Sequence, residues 1–400
     1  MPAFVRLDSD GYSQSWNLAP CQPQAILRCD SPTLATSLTT SGTESRHWPN
    51  PLEALHWLAE TAANEAENVR WVGYLSYDLG RLFEKIPIRA IDDLRLPLFC
   101  FARCDSTAPP PRSPACTCGA PFLRSTFSRN EYLTAVDRAI AYIRAGDVFQ
   151  VNLSQRFTLP LPAAVDEIAD RFRLSTPARY GAFLDFGDHA LLSNSPELFL
   201  HVSPDRRIIT RPIKGTRPRA PGMDRELLHS TKDQAELNMI VDLERNDLGR
   251  VCETGSVKVT EPRIIESHPT VYHGAATIEG RLRPEISFID LLRSVFPGGS
   301  ITGAPKIRAM EIIEELEPAR RGPYCGAIGY LAPGGAMEFN IAIRTMIAKA
   351  GLIHLPVGGG IVADSDPVAE YEETLVKSRA MFAALDVPVP RHGQCRETSP

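Results

Sequence analysis

Two stretches of the sequence each carry a pair of acidic residues three positions apart. Asp233 and Glu236 lie in TKDQAELNMIVDLERNDLGR, and Glu370 and Glu373 lie in DPVAEYEETLVKSRAMFAAL. Both stretches are typical of helices, and a spacing of three places the two carboxylates of a pair on one helical face. Two such faces opposite each other could bind a hard cation such as magnesium through oxygen ligands. Two solvated acidic surfaces are the simpler alternative, because charged helix faces usually face water.

A lysine accompanies the second acidic pair. Lys377 follows Glu373 by four positions and therefore lies on the same helical face. It could form an ordinary ion pair with Glu373, which would stabilise the helix by a few tenths of a kcal/mol. It could instead bind a carboxylate of a substrate, and the spacing alone leaves both possibilities open.

The segment RPIKGTRPR, residues 211–219, concentrates basic side chains around Gly215. Arg211, Lys214, Arg217 and Arg219 could together receive an anionic substrate. If Lys214 is desolvated among other cations, its pKa falls and its amine becomes a nucleophile at neutral pH. The alternative is a basic turn at the surface.

A further candidate is Glu197, which follows a proline at the start of a strand in SNSPELFL. A carboxyl group there could act as a general acid if burial raised its pKa. An exposed glutamate at a strand end is the commoner case.

Two glycine-rich segments invite comparison with nucleotide sites. In FPGGSITGAPK, residues 296–306, Ala304 and Pro305 stand where a phosphate loop requires lysine and serine or threonine, so we exclude a nucleotide site there. GGGIVADS, residues 358–365, lacks the GxGxxG pattern. Its three consecutive glycines still allow backbone N–H groups to approach a ligand closely.

Both helices and strands are predicted to position these residues. Ser128 and Glu131 form a capping box that predicts a helix ending near Gly146. FQVNLSQRF alternates apolar and polar residues and predicts a half-buried strand. Further strands are predicted at HALLSN, RRIIT and GLIHLPV, with long helices between them. The pattern predicts an α+β fold in which large antiparallel sheets are flanked by helices.

Composition excludes several classes of protein. The chain has 400 residues, 43% of them hydrophobic, and its net charge of −5 comes from acidic and basic residues mixed along its length, which argues against nucleic-acid binding. No segment approaches the ~20 apolar residues of a membrane span, and the N-terminus lacks a secretory h-region. A cytoplasmic protein is therefore expected. A zinc site at Cys100, Cys104, Cys116 and Cys118 is conceivable, but the spacing fits no common zinc pattern.

The order and wording of the segments point to a family. FQVNLSQRF, SPELF, RPIKGTRPR, AELNMIVDLERNDLGRV, FPGGSITGAPKIRAMEIIEELEP, GAIGYL, IAIRT and GGGIVADSDPVAEYEET occur in this order between about residues 128 and 386. Together they resemble the chorismate-utilising enzymes. The resemblance implies the chorismate-binding, anthranilate synthase-like fold, with two large antiparallel sheets packed together. It predicts a shortened N-terminal subdomain at 1–118 packed on a catalytic domain at 119–386, and a disordered tail at 387–400.

The resemblance also implies roles for the acidic pairs. Glu236 and Glu373 would bind Mg²⁺ directly, while Asp233 and Glu370 would hold metal-bound water. Glu197 would protonate the departing C4 hydroxyl group of chorismate. Further residues implied to line the site are His273, Gly215, Thr216, Tyr330, Arg344, Gly359, Gly360 and Lys377.

Two positions distinguish branches of this family. Gln150 stands where the water-adding enzymes carry a lysine, and an amide cannot deprotonate water at neutral pH. Lys214 gives PIKGT, which resembles aminodeoxychorismate synthase, whereas anthranilate synthases typically read PIAGT. The resemblance therefore implies that Lys214 attacks chorismate and that ammonia then displaces it. Ammonia would come from a glutamine amidotransferase subunit, because no glutaminase motif is present. The alternatives are an anthranilate synthase component and a chorismate-binding subunit without catalytic activity.

Overall fold

The computed structural model describes residues 3–9, 15–31, 33–40, 42–105, 122–268, 271–390 and 396–397. The predicted boundary between residues 118 and 119 and most of the predicted tail lie outside these ranges, as do Cys116 and Cys118. Cys100 and Cys104 are buried, and burial raises the pKa of both thiols, with a hydrogen bond to Cys21 contributing first for Cys104. The zinc site therefore stays an untested prediction.

The helices lie throughout the described part of the chain, and three short 3₁₀ segments lie at Tyr77–Leu82, Gly299–Ile301 and Pro333–Gly335. The α-helices are α1 (Pro51–Ala63), α2 (Arg129–Arg144), α3 (Val165–Ser175), α4 (Met223–His229), α5 (Thr231–Gly249), α6 (Phe288–Val295), α7 (Lys306–Leu316) and α8 (Pro367–Ala384).

The strands fall into an N-terminal and a C-terminal group. The first are β1 (Phe4–Asp8), β2 (Leu18–Cys21), β3 (Ala25–Cys29), β4 (Thr36–Thr40), β5 (Thr43–Trp48), β6 (Arg70–Leu75), β7 (Phe99–Cys104) and β8 (Arg124–Ser125). The others are β9 (Gln150–Pro160), β10 (Tyr180–Asp185), β11 (His189–Ser195), β12 (Leu198–Val202), β13 (Arg207–Arg211), β14 (Ile213–Pro218), β15 (Lys258–Ser267), β16 (Val271–Arg281), β17 (Gly303–Ala304), β18 (Ala327–Leu331), β19 (Met337–Ile341), β20 (Thr345–Lys349), β21 (Leu352–Ile361) and β22 (Arg396–Glu397).

The strands form two large sheets. One has the order β2-β1-β10-β11-β20-β21-β9-β8-β22, with β17 also paired to β9. The other has the order β14-β16-β13-β12-β19-β18-β6-β7-β3-β4-β5, with β15 also paired to β16. Neighbouring strands are antiparallel except for β8 and β22. The α+β fold with two large antiparallel sheets is therefore confirmed.

The two sheets pack face to face, and helices cover their outer faces. Val5 and Leu184 of the first sheet share a buried cluster with Val72 and Ala102 of the second. Helices α2, α3, α7 and α8 contribute to the core on the outer side of the first sheet. Helices α1, α5 and α6 contribute to the core on the outer side of the second. Burial of both faces of each sheet supplies the main stabilisation of such a layered fold.

The N-terminal part of the chain is built mainly of strands. Strands β1 and β2 extend the first sheet, whereas β3 to β7 extend the second. Residues 1–118 thus contribute strands to both sheets of the sandwich in the ranges described. No helix in the described part of the chain combines the length and the apolar composition that a transmembrane segment requires.

Strand β9 corrects one expectation. The predicted half-buried strand is buried along nearly all of its length, and its polar residues are enclosed as well. Ser154 donates from both its backbone N–H and its hydroxyl to Glu317, at 2.8 and 2.9 Å. Arg321 donates to the backbone oxygen of Asn152 at 3.0 Å. These partners lie far along the chain, so local alternation could not indicate that the polar face is covered.

Candidate active site

The acidic faces of α5 and α8 act electrostatically on each other. Burial raises the pKa of Glu236, the nearby Glu373 and Asp233 raise it further, and Lys214 opposes them. Burial likewise raises the pKa of Glu370, and Glu373 adds to the effect. Carboxylates influence one another in this way only over short distances. The two acidic pairs therefore face a common space, contrary to the alternative of two separate solvated surfaces.

Asp233 and Glu370 each have a donor within the protein. A carboxylate oxygen of Asp233 accepts a hydrogen bond from Arg217 at 3.0 Å. A carboxylate oxygen of Glu370 accepts one from the Ser365 hydroxyl at 2.6 Å. These hydrogen bonds fix the orientation of both carboxylates. Glu370 lies in the first turn of α8 and is buried.

Glu373 and Lys377 form the ion pair that their spacing predicts. The Lys377 nitrogen lies 2.7 Å from a Glu373 oxygen, and it also donates to the backbone oxygen of Gly358 at 3.0 Å. Although burial acts in the opposite direction, Lys377 holds the pKa of Glu373 below its usual value. Roughly half of the Glu373 side chain is accessible to solvent, so a ligand could reach it.

Glycines bring backbone close to these acids. A Cβ atom on Gly359 would lie 3.4 Å from a Glu370 oxygen and 3.7 Å from a Glu373 oxygen. On the opposite wall, Gly215 has a φ of 80°, and a Cβ there would lie 2.9 Å from the carboxyl carbon of Asp233. Only glycine accommodates both the positive φ and this close approach. Strands β21 and β14 thus form two walls of one cleft.

Lys214 extends from β14 into this cleft. Its side-chain nitrogen donates to the backbone oxygen of Ser300 at 3.4 Å. Burial lowers the pKa of the amine, while Glu236 and Glu197 oppose that effect. The amine therefore lies close to both Glu236 and Glu197. The alternative of an exposed basic turn is wrong for this lysine.

Glu197 is buried in the turn between β11 and β12. Only 4% of the residue is exposed, and the Ile341 N–H donates to its backbone oxygen at 3.0 Å. Burial raises the pKa of the Glu197 carboxyl, while the Ser300 side chain and Lys214 act in the opposite direction. A carboxyl group held in this way is suited to donate a proton.

His273 on β16 is neutral at physiological pH. Burial, followed by the positive charge of Arg344, lowers the pKa of the imidazole to about 3. Its Nδ1 shares a hydrogen bond with the Thr216 hydroxyl at 2.8 Å. Its buried Nε2 has no hydrogen-bond partner among the described residues. One polar atom of the ring is thus available to a ligand.

Arg344 is a second group without a partner. No hydrogen bond or ion pair of its guanidinium occurs in the described ranges, and burial lowers its pKa. A desolvated cation costs free energy unless an anion compensates it. Together with the neutral His273, Arg344 could therefore receive a carboxylate or carbonyl oxygen of a substrate.

Gln150 lies at the start of β9, where it is buried against Gly360. A Cβ atom on Gly360 would meet the Gln150 amide nitrogen at 2.0 Å. The Gln150 side-chain oxygen has no hydrogen-bond partner among the described residues. The amide thus lies directly against Gly360 of β21.

Tyr330 lies apart from the other candidates. Its hydroxyl donates to Glu338 at 3.1 Å, and its ring packs near Trp16 with a centroid distance of 6.3 Å. It belongs to the core between the two sheets. The role of Tyr330 in substrate binding stays a prediction.

Ser300 was not among the predicted site residues, although its backbone oxygen accepts a hydrogen bond from Lys214 and its side chain acts to lower the pKa of Glu197. It lies in the glycine-rich segment that fails the phosphate-loop pattern. Arg321 stabilises this segment by donating a hydrogen bond to the backbone oxygen of Ile301 at 2.8 Å. The run of small residues in GGSITGAP was the available signal, because small side chains permit close backbone approach.

Residues 107–383 match the family described as chorismate binding enzyme. Anthranilate synthase component 1 of Thermus thermophilus is 42% identical over 357 residues, which cover 79% of this chain and 77% of that protein. Aminodeoxychorismate synthase component 1 of Salmonella typhimurium is also 42% identical, over 349 residues that cover 79% of this chain and 76% of that protein.

A solved structure agrees with these relatives. Anthranilate synthase component I of Streptococcus pneumoniae has a TM-score of 0.78 and 29% identity, and the match covers 95% of this chain and 92% of that one. The isochorismate synthase MenF of Escherichia coli shares the fold with a TM-score of 0.69 at 19% identity, covering 96% and 95% of the two chains. This chain therefore belongs to the family of chorismate binding enzymes.

Proposed function

We propose that this protein is the synthase subunit of an aminodeoxychorismate synthase, a cytoplasmic enzyme that replaces the C4 hydroxyl group of chorismate with an amino group. The observation that carries the proposal is the position of Lys214. Its amine lies in the cleft, partly desolvated, with Glu236 and Glu197 nearby. A desolvated amine is a nucleophile at neutral pH.

Chorismate carries two carboxylates, and the cleft offers groups for both. Arg344 provides a cation without a partner, and the unpaired Nε2 of His273 can donate or accept a hydrogen bond. The absence of a side chain at Gly359 of β21 lets a ligand approach the backbone beside Glu370 and Glu373. Thr216 fixes the His273 ring through Nδ1, which pre-organises the site.

The acidic helices suit Mg²⁺ in their donor chemistry. Glu236, Glu370 and Glu373 supply only carboxylate oxygens, which are the ligands that Mg²⁺ prefers. Their negative charges repel one another, and a bound cation would reduce this repulsion. Among the described side chains, no group of three or more is arranged to hold a metal by itself. Magnesium therefore remains a prediction, with Glu236 and Glu373 as its proposed ligands. When bound, it would neutralise a substrate carboxylate.

The reaction then consists of two displacements. The Lys214 nitrogen bonds to C2 of chorismate while the C4–O bond breaks, and Glu197 gives its proton to the hydroxyl, which leaves as water. Ammonia next bonds to C4 while the C2–N bond to Lys214 breaks, and the proton released by the new amine restores the carboxyl group. The covalent step divides one difficult substitution into two easier ones.

The ammonia would come from a glutamine amidotransferase. The relatives are named component 1, which implies a second component in those proteins. The expected product would feed 4-aminobenzoate and folate synthesis through a separate lyase.

Anthranilate synthase is the second candidate. A relative of that name is as similar to this chain as the aminodeoxychorismate synthase relatives are. It would deliver ammonia to C2 and release pyruvate. Lys214 argues against this reaction, because anthranilate synthases typically carry alanine at that place.

Product analysis separates the candidates. The purified protein is incubated with chorismate, ammonium and Mg²⁺, and the products are identified by liquid chromatography with mass spectrometry. We expect aminodeoxychorismate, which retains the enolpyruvyl group, and no pyruvate. Fluorescent anthranilate with an equal amount of pyruvate would establish the second candidate. Consumption of no chorismate by folded protein would favour a subunit without catalytic activity.

A further inference from the structure

Arg321 is a buried arginine to which the proposed reaction gives no part. It lies between α7 and β18, and only 2% of its side chain is exposed. Its guanidinium donates to two backbone oxygens, that of Ile301 at 2.8 Å and that of Asn152 at 3.0 Å. Ile301 lies in the segment before α7, and Asn152 lies on β9. One side chain therefore joins two parts of the chain that are far apart in sequence.

The charge of Arg321 is compensated by Glu317, four positions before it. The Nε atom of Arg321 donates to one carboxylate oxygen at 2.9 Å, and Nη2 donates to the other at 2.7 Å. Two parallel hydrogen bonds of this kind fix the orientation of a guanidinium. Oε1 of Glu317 also accepts from the N–H and the hydroxyl of Ser154, at 2.8 and 2.9 Å. These bonds supply what a buried ion pair needs beyond its mutual attraction.

Tyr77 covers one face of the guanidinium. The central carbon of the Arg321 guanidinium lies 4.7 Å from the centroid of the Tyr77 ring. A cation over an aromatic face is attracted by the ring. The N–H of Tyr77 donates to the backbone oxygen of Gly322 at 2.8 Å, which ties this cover to the residue after Arg321. Arg321 is therefore held along its edge by Glu317 and on its face by Tyr77.

The Ile301 carbonyl that Arg321 binds lies one residue from the carbonyl that orients Lys214. Ser300 directly precedes Ile301, and its backbone oxygen accepts the hydrogen bond from the Lys214 amine at 3.4 Å. Neighbouring peptide groups share a Cα atom, so a shift of the Ile301 carbonyl also moves the Ser300 carbonyl. The contact at Ile301 thus bears on the position of the amine.

A second contact fastens the same segment to β9. The N–H of Asn152 donates to the backbone oxygen of Thr302 at 2.8 Å, while the oxygen of Asn152 accepts from Arg321. Arg321, Ile301, Thr302 and Asn152 therefore form a closed set of contacts. Removal of Arg321 leaves the Thr302 contact but opens this set at the end nearest Ser300.

We propose that Arg321 is a positioning residue for Lys214. By holding the Ile301 carbonyl against β9, Arg321 keeps the Ser300 carbonyl where it directs the Lys214 amine into the cleft. Arg321 acts through this segment and is not itself a catalytic residue. Misplacement of a reacting group by about 1 Å can slow a reaction about a hundredfold. The inference rests on the proposed role of Lys214 as the nucleophile.

The first test is the rate at which Arg321→Lys forms the covalent adduct of Lys214 with chorismate in a single turnover without ammonia. The substitution keeps a positive charge beside Glu317, but a single ammonium nitrogen cannot reproduce the planar fork that binds the carboxylate and both carbonyls. We expect the rate at saturating chorismate to fall by about tenfold or more. The chorismate concentration for half-saturation should change by less than about twofold, since the groups that bind substrate remain.

Arg320→Lys is the matched control, because it changes the same type of residue at the preceding position. The Arg320 guanidinium lies 3.5 Å from a carboxylate oxygen of Asp92, and its N–H donates to the backbone oxygen of Ile91 at 3.0 Å. These contacts do not involve the segment before α7. The control should therefore form the adduct at the wild-type rate.

The double variant Glu317→Gln with Arg321→Met keeps the inference testable if Arg321→Lys does not fold. It removes both charges at once, so neither is left buried without a partner. The new amide oxygen at position 317 can still accept from Ser154. Adduct formation should slow as in Arg321→Lys, because the contacts to Ile301 and Asn152 are lost. Glu317→Gln alone retains those two contacts and should form the adduct faster than the double variant.

Hydrogen–deuterium exchange gives a readout that does not depend on turnover. In the double variant, the backbone amides of residues 298–304 should exchange about tenfold faster or more, because local opening becomes easier when its restraints are removed. The amides of α1 should keep their wild-type rates. Wild-type exchange in residues 298–304 of the folded double variant contradicts the inference.

The outcomes separate this inference from the proposed function. If the wild type forms no adduct on Lys214, the proposed function fails and the inference fails with it. If the wild type forms the adduct and both folded Arg321 variants form it at the same rate, only the role of Arg321 is refuted. A higher half-saturating chorismate concentration with an unchanged rate at saturation also refutes that role, because it reports substrate binding.

Discussion

The side-chain nitrogen of Lys214 lies 3.4 Å from the backbone carbonyl oxygen of Ser300. This contact joins β14 to the segment before α7, so the amine depends on two parts of the chain that are far apart in sequence. A carbonyl oxygen orients the amine without neutralising it, whereas a carboxylate at that distance would hold it as an ammonium ion. The arrangement is therefore compatible with a nucleophilic lysine.

Gly215→Ala should disturb the site because of both its φ and its surroundings. The new Cβ would lie 2.6 Å from a methyl carbon of Leu227 and 2.9 Å from the Asp233 carboxyl carbon. We expect a loss of unfolding free energy of about 2 to 4 kcal/mol, combining a positive-φ cost of about 1 kcal/mol with overpacking. Chemical denaturation and the turnover of chorismate measure the two effects.

Gly255→Ala is the matched control for that substitution. Gly255 has the same φ of 80°, but nothing lies within 4 Å of a Cβ placed there. It should lose only the conformational part, about 1 kcal/mol, and keep its activity. Equal losses in the two variants would show that the close approach at Gly215 is unimportant.

Gly360→Ala should conflict specifically with Gln150. The new Cβ would meet the amide nitrogen at 2.0 Å, which is shorter than any tolerated contact. Overpacking of this kind costs about 1 to 3 kcal/mol. Adding Gln150→Ala should relieve the conflict, so the double variant should be more stable than the sum of the two single effects predicts. Additive losses in denaturation experiments would contradict the packing of Gln150 on Gly360.

Glu373→Gln should raise the Mg²⁺ concentration needed for half-maximal activity by about tenfold or more, since a neutral amide binds the cation more weakly than a carboxylate. Loss of its surface ion pair with Lys377 should cost less than about 1 kcal/mol of stability, because both groups are well exposed. Magnesium titration of the initial rate provides the measurement, with the exposed Glu67→Gln as control. Saturation by Mg²⁺ at the wild-type concentration would exclude Glu373 as a ligand.

His273 should make the protein less stable in acid. The pKa of its imidazole is about 3 in the folded protein and 6.5 when unperturbed. Between these values the unfolded chain binds a proton that the folded protein does not bind. The unfolding free energy therefore falls as the pH decreases from about 6.5, by up to about 1.4 kcal/mol per pH unit.

His273→Gln should remove this contribution. Its unfolding free energy should fall less steeply between pH 6.5 and 4.5 than that of the wild type, whatever its stability at pH 7. The exposed His47→Gln should retain the wild-type slope. Equal slopes in all three proteins would mean that His273 is protonated in the folded state.

The sequence predicted the elements whose signals are local. The capping box of Ser128 and Glu131 does begin α2, and the acidic stretches do form α5 and α8. The Glu373–Lys377 pair follows directly from helical spacing. Such features need only the geometry of one helix, so no knowledge of the rest of the fold is required.

Features that depend on distant partners could not be predicted in this way. Burial of Glu197 results from strands that lie both before and after it, and nothing in SPELF indicates it. The hydrogen bond from the Tyr330 hydroxyl to Glu338 on the neighbouring strand likewise has no signal in the motif GAIGYL. Strands β1 to β5 also depend on distant partners, because they complete sheets whose other strands come much later in the chain.

The mass of the intact protein after rapid mixing with chorismate and Mg²⁺ in the absence of ammonia tests the central claim most directly. The account predicts an adduct equal to chorismate minus one water, located on Lys214 by peptide mapping, absent from Lys214→Ala and discharged when ammonium is added. The exposed Lys258→Ala should form the adduct as the wild type does. Absence of any adduct, with Lys214→Ala aminating chorismate at the wild-type rate, would contradict the account.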